Sequence, residues 1–252
     1  MGDDAEVDAL DEALSLVRGA DEAGIPLRLV GGLAVRVLCP DFPPRLRDRQ
    51  DLDLASVSRT RAALTAFLVA RGYEPDRRFN ALYGHKQLFF SSPSGRAVDV
   101  LIDRLDMCHV LEFRDRIERM PLTLDVPDLL LSKLQIVQLN EKDLQDVLYL
   151  LAAYPVREGD EPGTIGLARL AQVLGDDWGW WRTVTGNLDL IAGLDPGTRD
   201  RLVPPEPIYD PVAQARVLRE AADRFPKSLR WRLRARVGER VRWYELPEEV
   251  AR

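Results

Sequence analysis

Apolar residues recur first at helical and then at strand spacing along the N-terminal half of the chain. Val7, Leu10, Leu14 and Val17 fall three to four residues apart. That spacing predicts an amphipathic helix over 6–23, with Gly24 placed to end it. Leu27 to Val30 predicts a short strand, Gly31-Gly32 a turn, and Leu33 to Leu38 the start of a second helix. Pro40 to Pro44 is a break. Leu52 to Val57 predicts a strand and Thr60 to Arg71 a helix stopped by Gly72. Lys86 to Phe90 and Arg96 to Ile102 predict two strands joined through Ser92-Pro93-Ser94-Gly95, a favourable turn sequence. Leu122 to Val126 predicts a last strand.

The texture changes after Pro127. Residues 128–139 and 141–153 predict helices, and beyond them helical segments are broken near Pro155–Gly163, Gly193–Gly197 and Pro204–Pro211. The expectation is an α+β protein with two parts: a mixed sheet flanked by helices over 1–125, and a helical C-terminal unit over 126–252. No internal repeat or low-complexity tract interrupts this reading.

Composition narrows the class. The 252 residues are 46% hydrophobic and 30% charged, the balance of a globular protein rather than a disordered one. No run approaches the roughly eighteen apolar residues that span a bilayer, so no membrane partner is expected. The N-terminus is acidic, the opposite of a signal or transit peptide, which gives the expectation of a cytoplasmic protein. Cys39 and Cys108 have no metal-ligand spacing and are expected as reduced thiols, and His85 and His109 leave little room for a zinc site. The net charge of −6 is unevenly spread. Eight acids stand against Arg18 in 1–24, and eight bases stand against Glu239 between Arg224 and Trp243. The basic tail Leu229-Arg230-Trp231-Arg232-Leu233-Arg234-Ala235-Arg236-Val237 alternates too strictly for a clean amphipathic helix. Interleaved arginine and tryptophan could grip a polyanion; a solvated charged helix with its Trp packed inward is the plain alternative.

The candidate chemistry lies in carboxylates. Asp51 and Asp53, two apart on a predicted strand, project to the same side. Crowded carboxylates repel, and a divalent cation relieves them; a solvated strand end bearing surface acids is the plain alternative. Gly31-Gly32 lies about twenty residues earlier, where a helix start offers amides to a phosphate, although such a pair also serves as an ordinary turn. Asp99 sits within the apolar run Ala97-Val98-Asp99-Val100-Leu101 and needs a partner, which a structural salt bridge would equally supply. Asp103 shares its strand parity and is a weaker candidate. Trp178, Trp180 and Trp181 are expected in the core of the helical unit.

Leu29-Val30-Gly31-Gly32-Leu33-Ala34, then Gln50-Asp51-Leu52-Asp53-Leu54, then Val98-Asp99-Val100, resembles the nucleotidyltransferase superfamily related to DNA polymerase β. Ser132-Lys133-Leu134 followed by Glu141-Lys142-Asp143-Leu144-Gln145-Asp146 is similar to a lysine and acidic helix pair in its AbiEii and MenT toxin-type branch. The match covers about residues 25–150. It departs at two points: Gly32, followed by Leu33, stands where many members carry Ser or Thr, and Arg49 stands where a hydroxyl is expected after Arg47. The resemblance implies transfer of a nucleoside monophosphate from an NTP to a tRNA end, a protein or a small-molecule hydroxyl. Asp51, Asp53 and Asp99 would be the catalytic, Mg2+- or Mn2+-binding acids. Gly31, Gly32, Arg47 and Lys133 would contact the nucleotide, with Asp143 and Asp146 in support. It also implies a toxin role with a cognate antitoxin partner. The alternative is a degenerate member that binds nucleotide or a protein without transfer. Lys133, Asp143 and Asp146 also admit the plain reading of a solvated, charged helix surface.

Overall fold

The computed structural model describes residues 8–43 and 51–246. The chain divides into two units, the first comprising residues 1–37, 44–105 and 112–125, the second 38–43, 106–111 and 126–252. Arg47 lies outside the described residues. In chain order come α1 (Ala9–Glu22), β1 (Leu27–Leu29), α2 (Gly31–Leu38), β2 (Leu52–Ser56), α3 (Arg61–Ala70), β3 (Glu74–Pro75), α4 (Arg77–Tyr83), β4 (Gln87–Ser91) and β5 (Ala97–Ile102). A small ribbon of β6 (Arg104–Asp106) and β7 (Val110–Glu112) follows.

The sheet of the first unit runs β1-β2-β5-β4-β3. β2 and β5 are parallel, while the β1–β2, β4–β5 and β3–β4 pairs are antiparallel. The fold is therefore α+β with a mixed sheet. Strand alternation decides what each face carries. Leu27, Leu29, Leu52, Leu54, Val98, Val100, Leu88 and Phe90 share one face through the register, and all are buried. Burying each such side chain contributes about 1.5–3 kcal/mol. The same unit buries Ala13, Leu16 and Val17 of α1 and Leu64, Phe67 and Leu68 of α3, and these helices meet where Gly19 approaches the Phe67 ring. The opposite face carries Asp53, Ala55, Asp99, Leu101, Gln87 and Phe89.

The second unit holds α5 (Val126–Leu134), α6 (Glu141–Ala153), the two-residue parallel pair β8 (Val156–Arg157) and β9 (Ile165–Gly166), α7 (Leu167–Asp176), α8 (Trp178–Ala192), α9 (Pro196–Leu202), α10 (Pro211–Arg224) and α11 (Leu229–Val237). Caps set several starts. Asn140, Asp177, Asp195, Asp210 and Ser228 each accept a backbone N–H of the helix they open. Each such cap contributes about 1 kcal/mol. Trp178 and Trp180 are buried, with Leu170, Leu174, Val184, Leu188, Val212 and Leu218. Among the described residues no helix is long and apolar enough to cross a membrane.

Five segments differ from the sequence expectation. The diglycine does not precede a helix as a turn; it is the first residue pair of α2. The Leu122–Val126 strand reduces to one parallel bridge, Leu29 to Thr123, because Asp125 is drawn into ion pairs with Arg116 and Arg119 and α5 begins at Val126. The helix expected over 128–139 stops at Leu134: Asn187 Nδ2 donates to the carbonyls of Leu134 and Ile136, taking over acceptors the helix end leaves open. β3 and α4 occupy a stretch without clear periodicity. The alternating tail forms α11, capped by Ser228 at one end and closed by Gly238 at φ 58°.

Candidate functional site

Strand register brings two of the three candidate carboxylates together. Asp53 pairs with Asp99 across the parallel β2–β5 ladder, so both project from the less apolar face, side by side. Neighbouring strands stand roughly 4.8 Å apart, close enough for two carboxylates to repel. Asp99 is only 9% exposed. Its Oδ1 accepts from Gln87 Nε2 at 2.6 Å, and Gln87 lies on β4, the strand on the far side of β5. Sequence reading missed Gln87. Its parity on β4 matches that of Phe89, which faces Asp99, but only the pairing register shows it.

The start of α2 lies against the same carboxylate. A Cβ placed on Gly31 would come within 2.6 Å of Asp53 Oδ2 and 3.3 Å of Asp53 Cβ. Gly31 also has φ 64°, the left-handed region where a side chain is strained. The backbone N–H of Val30 donates to the Asp53 carbonyl at 3.0 Å, which fixes the approach of the two segments. Glycine at 31 thus has two physical reasons: a positive φ and a neighbour already occupying the side-chain position. The first-turn amides of α2, those of Gly31 and Gly32, have no i−4 carbonyl of their own helix and can serve an anion.

Asp51 lies just before β2, exposed, two residues from Asp53. Among the described residues no group of three His, Cys, Asp or Glu side chains is placed to hold a metal ion. The donor chemistry nevertheless suits magnesium. That ion prefers carboxylate oxygen and is commonly held by one or two carboxylates together with substrate phosphates and water, without a full protein cage. The Asp53–Asp99 pair is a two-carboxylate arrangement of that kind.

The remaining candidates divide between the units. Lys133 belongs to the second, where its Nζ lies 2.7 Å from Asp143 Oδ1 and 3.0 Å from Asp146 Oδ2. Burial works against its ammonium, but the two carboxylates outweigh burial and raise its pKa. Asp146 is almost wholly buried. The plain reading of three solvated surface charges therefore does not describe this cluster. Asp103, which shares the parity of Asp99, is turned out of the strand by φ 66°. Its Oδ1 accepts from Ser58 N at 3.0 Å and its Oδ2 from Arg114 at 2.7 Å. Burial raises its pKa, but these bonds outweigh burial and hold it at about 2. Asp103 ties three loops together. His85 is exposed. His109 is buried, with Nε2 2.9 Å from Thr183 Oγ1, and burial pushes its pKa down to about 4. Cys39 and Cys108 are buried and not joined in a disulfide.

No family model matches the sequence, and no curated protein matches it. Among solved structures, an antigenic nucleotidyltransferase-like protein from Paracoccidioides brasiliensis is similar at 15% identity and a TM-score of 0.42, over 88% of this chain and 95% of that one. A CD-NTase of Bradyrhizobium diazoefficiens, solved in complex with GTP, is similar at 13% identity and a TM-score of 0.26, over 94% of each chain. Similarity at these levels carries no argument about function, which rests on the residues and geometry described above.

Proposed function

We propose that the first unit is a nucleotidyltransferase centre of the DNA polymerase β-like type, moving a nucleoside monophosphate from an NTP to an acceptor hydroxyl. The observation that carries this reading is the register pairing of Asp53 with Asp99 beside Gly31, whose missing Cβ leaves room at the Asp53 carboxylate. Asp53 and Asp99, with Asp51 at the head of the strand, are the residues to hold one or two magnesium ions, which when bound would neutralise triphosphate charge and favour in-line displacement. The Gly31 and Gly32 amides receive phosphate oxygens at the start of α2. Gln87 holds the Asp99 carboxylate in its orientation through the 2.6 Å bond. Asp99 takes the proton as the acceptor oxygen bonds to the α-phosphorus and the bond to pyrophosphate breaks. The acceptor is a tRNA end, a protein side chain or a small-molecule hydroxyl, and a toxin role with a cognate antitoxin belongs to the same proposal.

Thermal shift with magnesium and each of ATP, CTP, GTP and UTP tests the reading. At least one NTP is expected to raise the melting temperature of the parent chain and not of Asp53→Ala. Labelled NTP incubated with total tRNA or with protein then reports transfer. An equal shift in both proteins, or none in either, overturns the nucleotide site. A second reading is nucleotide binding without transfer, favoured by the exposure of Asp51 and the lack of a three-acid cluster among the described residues. It predicts an Asp53-dependent shift with no label transferred under any metal.

A further inference from the structure

The two sides of α11 differ in what they touch. On the inner side, the Trp231 ring meets Trp181 edge-on at 5.4 Å, with Lys227 Nζ 5.3 Å from the Trp231 ring centre. Arg234 donates to the carbonyls of Gly238 and Val241 and lies 4.8 Å from the Trp178 ring centre. Arg230 reaches Asp177 at 3.3 Å. Arg230 and Arg234 also line a cleft of about 560 Å³ with Trp178 and Trp243. Arg230, although exposed, and Arg234 are therefore already partnered within the unit.

The outer side is different. Leu229, Leu233 and Val237 follow one another at a turn's spacing and are 65%, 52% and 40% exposed. Their i, i+4, i+8 positions make one continuous apolar stripe. Arg232 and Arg236 run along one edge of that stripe, both exposed, and Arg240 follows, also exposed. Among the described residues none of these three arginines forms an ion pair with an acid. Single exposed aliphatic residues are ordinary, but three in a row on one helix, edged by uncompensated positive charge, mark a contact surface.

The charge selects the occupant. Pairing α11 with its own copy would set arginine against arginine. A nucleic acid would satisfy the arginines but lay a polyanion over the apolar stripe, and the helix's tryptophan is turned inward and cannot stack on a base. A lipid surface calls for a broader apolar face with aromatic anchors than three aliphatic residues on a nine-residue helix supply. We propose that the outer face of α11 docks an acidic amphipathic helix of another protein. Its apolar residues, at i, i+3/i+4, i+7 spacing, would cover Leu229, Leu233 and Val237, and its flanking carboxylates would meet Arg232 and Arg236. The inference is independent of the nucleotide reading.

A fluorescein-labelled helical peptide with leucines at that spacing and glutamates on both flanks tests it. Its lysine-flanked counterpart, a short oligouridylate and phosphatidylglycerol vesicles are the comparison probes, each titrated with the full chain. The glutamate peptide is expected to bind, and the lysine peptide is not. Leu233→Ser and Arg236→Glu should each weaken binding about tenfold or more, the size of a central interface substitution. Both side chains are exposed, so circular dichroism and the melting temperature should stay at the parent values. Absence of glutamate-peptide binding overturns the proposal, as does binding unchanged by either substitution. Tighter binding of the oligouridylate or the vesicles, lost in the same variants, also overturns it in favour of that ligand.

Discussion

Gly31→Ala separates backbone strain from site disruption. The added Cβ would lie 2.6 Å from Asp53 Oδ2, and ordinary contact begins near 3.4 Å, so the carboxylate must retreat by about 0.8 Å. It can do so by rotating, because the crowded atom is the end of a side chain, although Asp53 Cβ at 3.3 Å limits the relief. The backbone adds a separate cost: alanine at φ 64° loses roughly 1–2 kcal/mol. In a chain of this size that lowers the melting temperature by roughly 2–8 °C. Gly24 supplies the control. It has φ 69° and nothing within 4 Å of its would-be Cβ, so Gly24→Ala carries the strain without the collision. Differential scanning fluorimetry with and without magnesium and the responsive NTP gives both readouts. Both variants should lose similar intrinsic stability, but only Gly31→Ala should lose the ligand-induced shift. A misplacement near 1 Å can cost about a hundredfold in a site that depends on orientation. If Gly31→Ala keeps the full ligand shift, or if Gly24→Ala loses it too, the argument that Gly31 makes room for Asp53 is refuted.

Two other expectations follow from buried titratable groups in the second unit. Lys133→Met leaves Asp146 buried without its cation and should destabilise the chain by about 3–5 kcal/mol in urea unfolding. Asp143→Asn should cost less, since Lys133 keeps Asp146 as its counter-charge; a loss under about 1 kcal/mol for Lys133→Met would show that the pair does not matter to folding. His109 has a folded pKa near 4 against an unfolded 6.5, so the unfolded chain binds the extra proton between those values. Its contribution is complete above pH 6.5 and is lost as pH falls toward 4, in total about 3 kcal/mol. The difference in unfolding free energy between the parent and His109→Gln should shrink across that window, and a pH-independent difference would contradict the burial argument.

Much of the first unit could be read from local pattern. Alternation marked β2 and β5 because each has one apolar face to bury, and the same alternation placed Asp53 and Asp99 on the other face of their own strands. The α+β class follows from the order of such segments. Other features lay beyond local pattern. β3 and α4 are too short to show a period. The early end of α5 depends on Asn187, which is 53 residues from Leu134. The tail sequence, with arginine at alternate positions, gives no strong contrast between two helix faces, yet Ser228 caps it and Trp231 anchors it on Trp181.

The sequence by itself determined which residues have the chemistry for a cation and a phosphate, because residue type and strand parity are local properties. Tertiary structure decided who meets whom. Parallel pairing set Asp53 opposite Asp99, the approach of α2 put Gly31 on the Asp53 carboxylate, and β4 brought Gln87 to Asp99. Folding also gave Asp103 to Arg114 and Lys133 to Asp143 and Asp146. Register and packing arise from contacts distant in the chain, and no local spacing encodes them.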